Sequence, residues 1–328
     1  MRIAVAILNY NGAELLPRFL PSVMEHSAGA EVWVIDNAST DQSMKWLTEN
    51  YPDVRQVILD HNGGYCEGYN KGLTHINADI FVLLNSDVEV TPGWLEKPVE
   101  ILNKDSSVAA VQPKILSYRE RSSFEYAGAG GGFLDLLCYP YCRGRIFDKI
   151  ETDHGQYNDS CEVMWGSGAC LFIRADIFKK HGGFEPEFFA HMEEIDLCWR
   201  IRRSGDKIMY CGSSTVFHLG GGTLPVSSPR KTYLNFRNNL SLMMRNLAPG
   251  RLLVTLPVRF ALDHIAAIKF FAEGNGASAA SVIRAWFSFI SNFKKEILKR
   301  KQVGNWGYGG DRWSGDVKFL VWKRYTGL

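Results

Sequence analysis

Apolar positions in the first ninety residues fall into short solid blocks that alternate with helically spaced ones. Ile3 to Leu8 is apolar throughout and breaks at Asn9-Tyr10-Asn11-Gly12. From Glu14 to Met24, residues Leu15, Leu16, Phe19, Leu20 and Val23 recur at the spacing of one helical face. Glu31 to Ile35 is a second strand-like block, breaking into Asp36-Asn37-Ala38-Ser39-Thr40-Asp41, where Thr40 or Asp41 is placed to cap a helix from Gln42. Val54 to Leu59 is a third, followed by Asn62-Gly63-Gly64 and a helical stretch through Asn70 to His75. The fourth block, Ile80 to Leu84, has polar residues at both ends, which reads as a strand buried on both faces. It stops abruptly at Asn85-Ser86-Asp87. Strands alternating with helices at this spacing predict right-handed βαβ units on a mainly parallel sheet. Ligands bind beyond the carboxyl ends of such strands, so Asn9, Tyr10, Asp36, Gly64 and Asp87 are expected along one edge.

The pattern dissolves between Tyr118 and Ser160. The glycine-rich run Ala127 to Phe133 has no amphipathic helix after it and reads as a loop rather than a phosphate cradle. Val163 to Ile173 predicts a strand interrupted by glycines, and Asp176 to His181 a short helix closed by Gly182-Gly183. Glu193, Glu194 and Asp196 then open a helix with an apolar face at Leu197 and Ile201. Two readings stay open there. Acids are favoured in a first helical turn by the macrodipole, and a carboxyl partly buried behind Phe188 and Phe189 has its pKa raised toward the range of a general base. Lys207 to Tyr210 and Thr215 to His218 read as further strands, the second running into Leu219-Gly220-Gly221-Gly222-Thr223.

From Val226 the character changes. Tyr233 to Asn246 is helical and basic. Leu252 to Phe271 is largely apolar but interrupted by Arg259, Asp263, His264 and Lys269, which predicts a packed or interfacial helix, not a transmembrane one. Trp286 to Lys301 is amphipathic and ends in Lys294-Lys295 and Lys299-Arg300-Lys301, with Trp306, Trp313 and Trp322 beyond. The formal net charge of +2 conceals an asymmetry: 20 Lys and Arg against 30 Asp and Glu up to Pro225, then 17 against 5. The division expected is residues 1–225 and residues 226–328, with an anionic membrane surface as a candidate partner for the basic part. An equally available reading makes that part a solvated face packed on the first.

The seven cysteines are odd in number and lack a framework of short spacings, which suits reduced thiols in the cytoplasm. Cys138, Cys142, His154 and Cys161 match no strong zinc pattern. The N-terminal apolar run is too short for a signal peptide. Asp87, placed after a buried strand, suits a divalent cation shared with a diphosphate, or else caps a turn together with Asn85.

Eight stretches, in order, resemble inverting glycosyltransferases of family 2, and their rhamnosyltransferase-like branch in particular. They are Asn9 to Gly12, Val34 to Asp41, Asn62 to Gly72, Leu84 to Asp87, Trp165 to Ala169, Gly182 to Phe184, Glu193 to Leu197 and Val216 to His218. The resemblance implies a GT-A fold: Rossmann-like α/β, a mainly parallel sheet with flanking helices, here with a basic helical extension. It implies that Asn9, Tyr10, Asp36, Asn37, Gly64, Asn70, Asn85 and Ser86 bind the nucleotide sugar. Asp87 and His218 would hold Mg2+ or Mn2+, and Trp165 and Gly166 would border the acceptor. Glu194 falls at the position of the catalytic base, with Glu193 and Asp196 beside it. Two departures stand out: Asn85 where many relatives have Asp, and Glu194 where the base is commonly Asp.

The function this implies is transfer of one sugar, with a lean to rhamnose, from a UDP- or dTDP-sugar to a glycan or lipid-linked acceptor. The implied setting is the cytoplasm, with peripheral contact to the inner membrane face left open; nucleic acid is not an expected partner. The competing readings are a non-catalytic nucleotide-sugar or glycan-binding relative, and a nucleotidyltransferase. The latter needs a glycine-rich loop after the first strand that Asn9-Tyr10-Asn11-Gly12 does not supply.

Overall fold

The computed structural model describes residues 1–126, 128–220 and 228–302. In chain order the first half carries β1 (Ile3–Asn9), α1 (Leu16–His26), β2 (Glu31–Asp36), α2 (Ser43–Asn50), β3 (Arg55–Ile58), α3 (Gly64–Gly72), β4 (Ile80–Asn85), β5 (Val88–Val90), α4 (Glu96–Lys104) and β6 (Val108–Ser117). Four short strands follow: β7 (Gly132–Leu134), β8 (Pro140–Cys142), β9 (Arg145–Ile146) and β10 (Lys149–Ile150). Then come β11 (Ser160–Val163), β12 (Cys170–Arg174), α5 (Ala175–Lys180), α6 (Glu193–Arg203) and β13 (Lys207–His218). Four helices close the described chain: α7 (Pro229–Asn246), α8 (Pro249–Ala272), α9 (Gly276–Ser291) and α10 (Phe293–Gln302).

The main sheet runs β11-β13-β6-β12-β4-β1-β2-β3, with β5 paired on β13. The β4-β1-β2-β3 half is wholly parallel, as is the β6–β13 pair. β12 lies antiparallel between β4 and β6, and β11 and β5 run antiparallel to β13, so the sheet is mixed around its parallel half. Alternation along each strand explains the two-sided burial. Val5, Ile7, Val82 and Leu84 face the layer of α1, α2 and α4, whereas Ala4, Ala6, Phe81 and Leu83 face α3, α5 and α6. β4, in the middle, has no exposed apolar atom to lose: Ile80 to Leu84 are all at 0% exposure.

The structure departs from the sequence reading where tertiary pairing overrides local pattern. Tyr118 to Ser160, where the sequence pattern dissolves, contains β7 to β10, a small antiparallel sheet whose strands are two or three residues long, too short for periodicity to register. Val163 to Ile173 is not one strand but two, β11 and β12, which pair with different neighbours and leave residues 164–169 between them. The two strands expected at Lys207 and Thr215 are one, β13, bulged between Cys211 and Thr215. The amphipathic stretch from Trp286 is divided at Asn292 into α9 and α10. Gly221 to Thr223, Trp306, Trp313 and Trp322 lie outside the described residues.

α7 joins the closing helices to the sheet layer. Buried Arg245 pairs with Glu296 of α10 at 2.6 Å and with Glu185 and Glu187 ahead of α6 at 3.1 and 3.3 Å. On α8, buried Arg259 and Asp263 pair at 3.2 Å, and Arg259 lies 3.8 Å from the centre of the Tyr139 ring. Asp263 also accepts from Tyr139 Oη and Trp286 Nε1. Such multiply bonded charges offset the desolvation that an isolated buried ion would suffer.

Candidate active site

The carboxyl ends of β1, β2 and β4 bring together the first group of expected site residues. Asn9 and Asp36 sit opposite one another in adjacent parallel strands. Asn9, fully buried, donates through Nδ2 to Asp36 Oδ1 at 3.0 Å and to Ser43 Oγ at 3.0 Å. The second oxygen of Asp36 accepts from the Ser39 backbone N–H at 3.0 Å. Asn37 donates to Asn62 Oδ1 and to the Gly64 carbonyl, which ties the β2 loop to the start of α3. Tyr10 stands 40% exposed beside this group, available to a planar ligand.

α3 begins at Gly64 because nothing larger fits: φ is +76°, and a Cβ there would lie 2.6 Å from the Phe189 ring and 2.8 Å from its carbonyl oxygen. Tyr65 N–H donates to that same carbonyl at 2.9 Å. Asn70 is engaged on both sides of its amide, giving to the Phe184 carbonyl and accepting from the Phe184 N–H. The structure thus puts Asn70 on the loop of residues 183–184, a clamp more than a pocket wall.

At the end of β4, Asp87 is buried and its Oδ1 lies 3.1 Å from His218 Nε2. On the other side of the imidazole, Glu125 Oε2 lies 3.3 Å from Nδ1. Burial alone would depress the His218 pKa, but the two carboxylates outweigh it and hold an imidazolium, up to about 10. Asn85 Nδ2 is 3.5 Å from the same His218 Nε2. Among the described residues no three His, Cys, Asp or Glu side chains are arranged to enclose a metal ion. An imidazolium has no lone pair to give, so His218 would ligate a cation only on losing its proton. The Asp87 carboxylate suits Mg2+ or Mn2+, which beside phosphates take one or two protein donors with the rest from phosphate and water.

Glu193 and Glu194 open α6 after an unusual approach. Phe189, His191 and Met192 all have positive φ, between 61° and 71°, a conformation that non-glycine residues adopt only when their surroundings impose it. The surroundings are on α7: Asn238 Nδ2 reaches the carbonyls of Phe188, Ala190 and His191 at 3.0, 3.0 and 2.7 Å. One carboxylate oxygen on each of Glu193 and Glu194 is out of solvent and lacks a hydrogen bond. Burial pushes both carboxyl groups up, and repulsion from Glu194 takes Glu193 further. Asp196 differs. Its two oxygens are taken by Arg200 Nε at 2.8 Å and Asn246 Nδ2 at 2.9 Å, so it anchors α6 to α7.

The segment between β11 and β12 lies between these groups. Trp165 is 4% exposed, with its Nε1 on the Phe133 carbonyl, so its ring packs inward under Gly132. A Cβ on Gly166 would lie 2.6 Å from Leu171. Gln112, fully buried within β6, accepts from Ser167 N–H and donates to the Gly128 carbonyl. Tyr65 Oη donates to the Gly168 carbonyl at 2.8 Å, and Asn85 N–H to the Ala169 carbonyl at 3.0 Å. Burial pushes the Tyr65 hydroxyl well up, and the charges of Tyr69, Glu193 and Glu194 add to it. A run of contacts therefore leads from Phe189, ahead of α6, through Tyr65 and residues 168–169 to Asn85, His218 and Asp87.

Tyr65, Gln112, Glu125, Asn238 and Asn246 were not singled out from the sequence. Gln112 had a visible signal, one amide in the apolar run Val108 to Leu116. Glu125, Asn238 and Asn246 had none, since each acts on a partner far along the chain.

Residues 4–182 match the family model described as Glycosyl transferase family 2. The low-salt glycan biosynthesis hexosyltransferase Agl10 of Haloferax volcanii is 24% identical over 247 residues, 72% of this chain and 73% of its own. An N-acetylglucosaminyl-diphospho-decaprenol L-rhamnosyltransferase of Mycobacterium tuberculosis is 24% identical over 234 residues, 66% of this chain and 75% of that one. The crystal structure of GalNAc-T7 with UDP, GalNAc and Mn2+ shares the fold at a TM-score of 0.57 and 17% identity, over 75% of this chain and 48% of that chain. With the family model spanning more than half its length, and a GT-A-like architecture around the edge just described, the chain belongs to glycosyl transferase family 2 and is a glycosyltransferase.

Proposed function

We propose that the protein is an inverting transferase that moves one sugar, rhamnose by preference, from a UDP- or dTDP-sugar to a hydroxyl of a surface-glycan or lipid-linked precursor. The observation that carries this is the contact run joining Phe189, just ahead of the glutamates that open α6, through Tyr65 and residues 168–169 to Asn85 and the Asp87–His218–Glu125 group. Asn9, Tyr10, Asp36, Asn37 and Gly64 form the nucleotide end. Asp36, oriented by Asn9 and Ser39, accepts the ring N–H of a pyrimidine base. Asp87, joined by His218 when the imidazole gives up its proton as the metal enters, would hold the divalent cation, with Asn85 and Ser86 toward the sugar. When bound, that cation neutralises the charge developing on the leaving diphosphate. Glu125 behind His218 orients the imidazole, as carboxylates do behind metal-bound histidines.

Glu194 takes the proton of the acceptor hydroxyl as its oxygen attacks the anomeric carbon from the face opposite the diphosphate, inverting the configuration. Glu193, the more basic of the two by its surroundings, keeps a proton and donates a hydrogen bond to acceptor or sugar. Trp165 and Gly166 back the acceptor side. Residues 1–225 carry this chemistry, and residues 226–328 contact the acceptor or its membrane. The rhamnosyltransferase among the relatives and its diphospho-decaprenol acceptor support the choice of sugar and of a lipid-linked acceptor. The Mn2+ and UDP in GalNAc-T7 support the cation and the nucleotide.

The test is a panel of UDP- and dTDP-sugars scored for thermal stabilisation with Mn2+ present, followed by transfer assays with the best donor. A UDP- or dTDP-sugar that stabilises the protein only with Mn2+, and is then consumed, is the expected result. Failure of every pyrimidine donor, with a purine nucleotide sugar active instead, would overturn the donor assignment.

A further inference from the structure

α8 is built inside out. Its Arg259 and Asp263 point into the protein and are at 2% and 0% exposure. Its large apolar side chains point away: Leu253 is 77% exposed, Val254 69%, Ile265 60%, Ile268 69% and Phe271 73%. A helix packed only on its own protein shows the opposite arrangement. Lys269 is the one exposed charged residue of α8. α9 extends the same surface through Phe287 and Ile290, at 68% and 59%. Between the two helices runs an open apolar groove of about 480 Å³, lined among others by Ala267, Ile268, Phe271 and Ile283. Exposed apolar surface on this scale marks an interaction face.

Charge decides what it faces. Residues 249–302 carry nine Lys and Arg against three Asp and Glu. Two of those acids, Asp263 and Glu296, are buried in ion pairs, and Glu273 pairs with Lys269 across one turn. Lys295 pairs with Glu187 at 2.7 Å, and the exposed rim keeps Arg284, Lys294 and Lys301 with little to balance them. A second copy of the chain would bring two positive rims together, whereas anionic headgroups neutralise one. No helix among the described residues is long and apolar enough to cross a membrane, while the 24 residues of α8, roughly 36 Å at 1.5 Å per residue, suit a helix lying in the plane of a bilayer surface.

We propose that the outer face of α8 and α9 inserts in the headgroup–acyl boundary of an anionic bilayer, with the inter-helix groove taking a hydrocarbon chain and the basic rim resting on the headgroups. This rests on the helices alone and not on the identity of donor or acceptor. The test is flotation of the full chain with vesicles of phosphatidylcholine and phosphatidylglycerol, and with phosphatidylcholine alone. A triple variant Ile265→Asn, Ile268→Asn, Phe271→Asn is compared with wild type, alongside thermal melts and sedimentation velocity. Wild type should float with the anionic vesicles and several-fold less with neutral ones. The variant should melt like wild type, since the side chains are exposed, and bind at least about tenfold more weakly. Wild type that stays in solution, a folded variant that floats equally well, or a wild-type dimer that the substitutions dissociate would each overturn the proposal. Binding is read without turnover, so none of these results touches the transferase reading.

Discussion

At the scale of single residues, the account assigns opposite demands to two kinds of carboxyl group. Asp87 lies 3.1 Å from His218 and is offered as a ligand to a metal. Glu194 has a buried oxygen without a hydrogen bond and is kept basic enough to take a proton. Glu194→Gln preserves shape and removes the base. Turnover should fall at least about 100-fold with donor KM within a few-fold, measured by initial-rate kinetics on the purified variant. A general base works ionised, and burial puts the Glu194 carboxyl at about 7, so kcat should rise with pH through a limb near neutrality. The same shift has a stability cost of the opposite sign. Folded Glu193 and Glu194 hold protons that the unfolded chain releases, so their contribution is complete below the unfolded value near 4.5 and is lost as pH rises through the folded one. Thermal melts of the ligand-free protein should therefore decline from about pH 5 to about pH 8. Glu194→Gln should flatten that decline, and an unchanged slope would count against the burial argument.

At the scale of elements, α7 is the brace that holds the approach to α6 in its strained form. One side chain, Asn238, bonds three carbonyls within the stretch that has positive φ, and Asn246 and Arg245 fix α6 and the residues before it. Asn238→Ala leaves those carbonyls without a donor and should cost about 1–3 kcal/mol in denaturant unfolding. It should also lower kcat with little change in donor affinity, because the nucleotide end is built from β1, β2 and α3. Equal loss in kcat and donor affinity would show that α7 supports the whole sheet and not the glutamates in particular. The sequence made the parallel half of the sheet readable because each strand there is a solid apolar block ending in polar residues, as at Leu84-Asn85. It hid β7 to β10 and the division of Val163 to Ile173, since pairing partners, not side-chain period, define those strands. The acid cluster at Glu193 was legible, but the brace was not: an asparagine in a basic helix has no feature that marks it as a partner of residues 47 to 50 positions earlier.

At the scale of the whole molecule, two surfaces are organised about one sheet. The edge at the strand carboxyl ends gathers polar and acidic side chains, and the α8–α9 face gathers exposed apolar ones. The central claim concerns the edge: Asp87 serves the departing diphosphate and Glu194 the incoming hydroxyl of a single cleft. Anomalous diffraction from crystals grown with Mn2+ and UDP tests it most directly. The account predicts a manganese peak at about 2.1–2.3 Å from an Asp87 oxygen, bridged to the diphosphate, with the Glu194 carboxylate lining the same cavity. A peak held by other carboxylates, or a diphosphate walled off from Glu194 by residues 165–169, would contradict it.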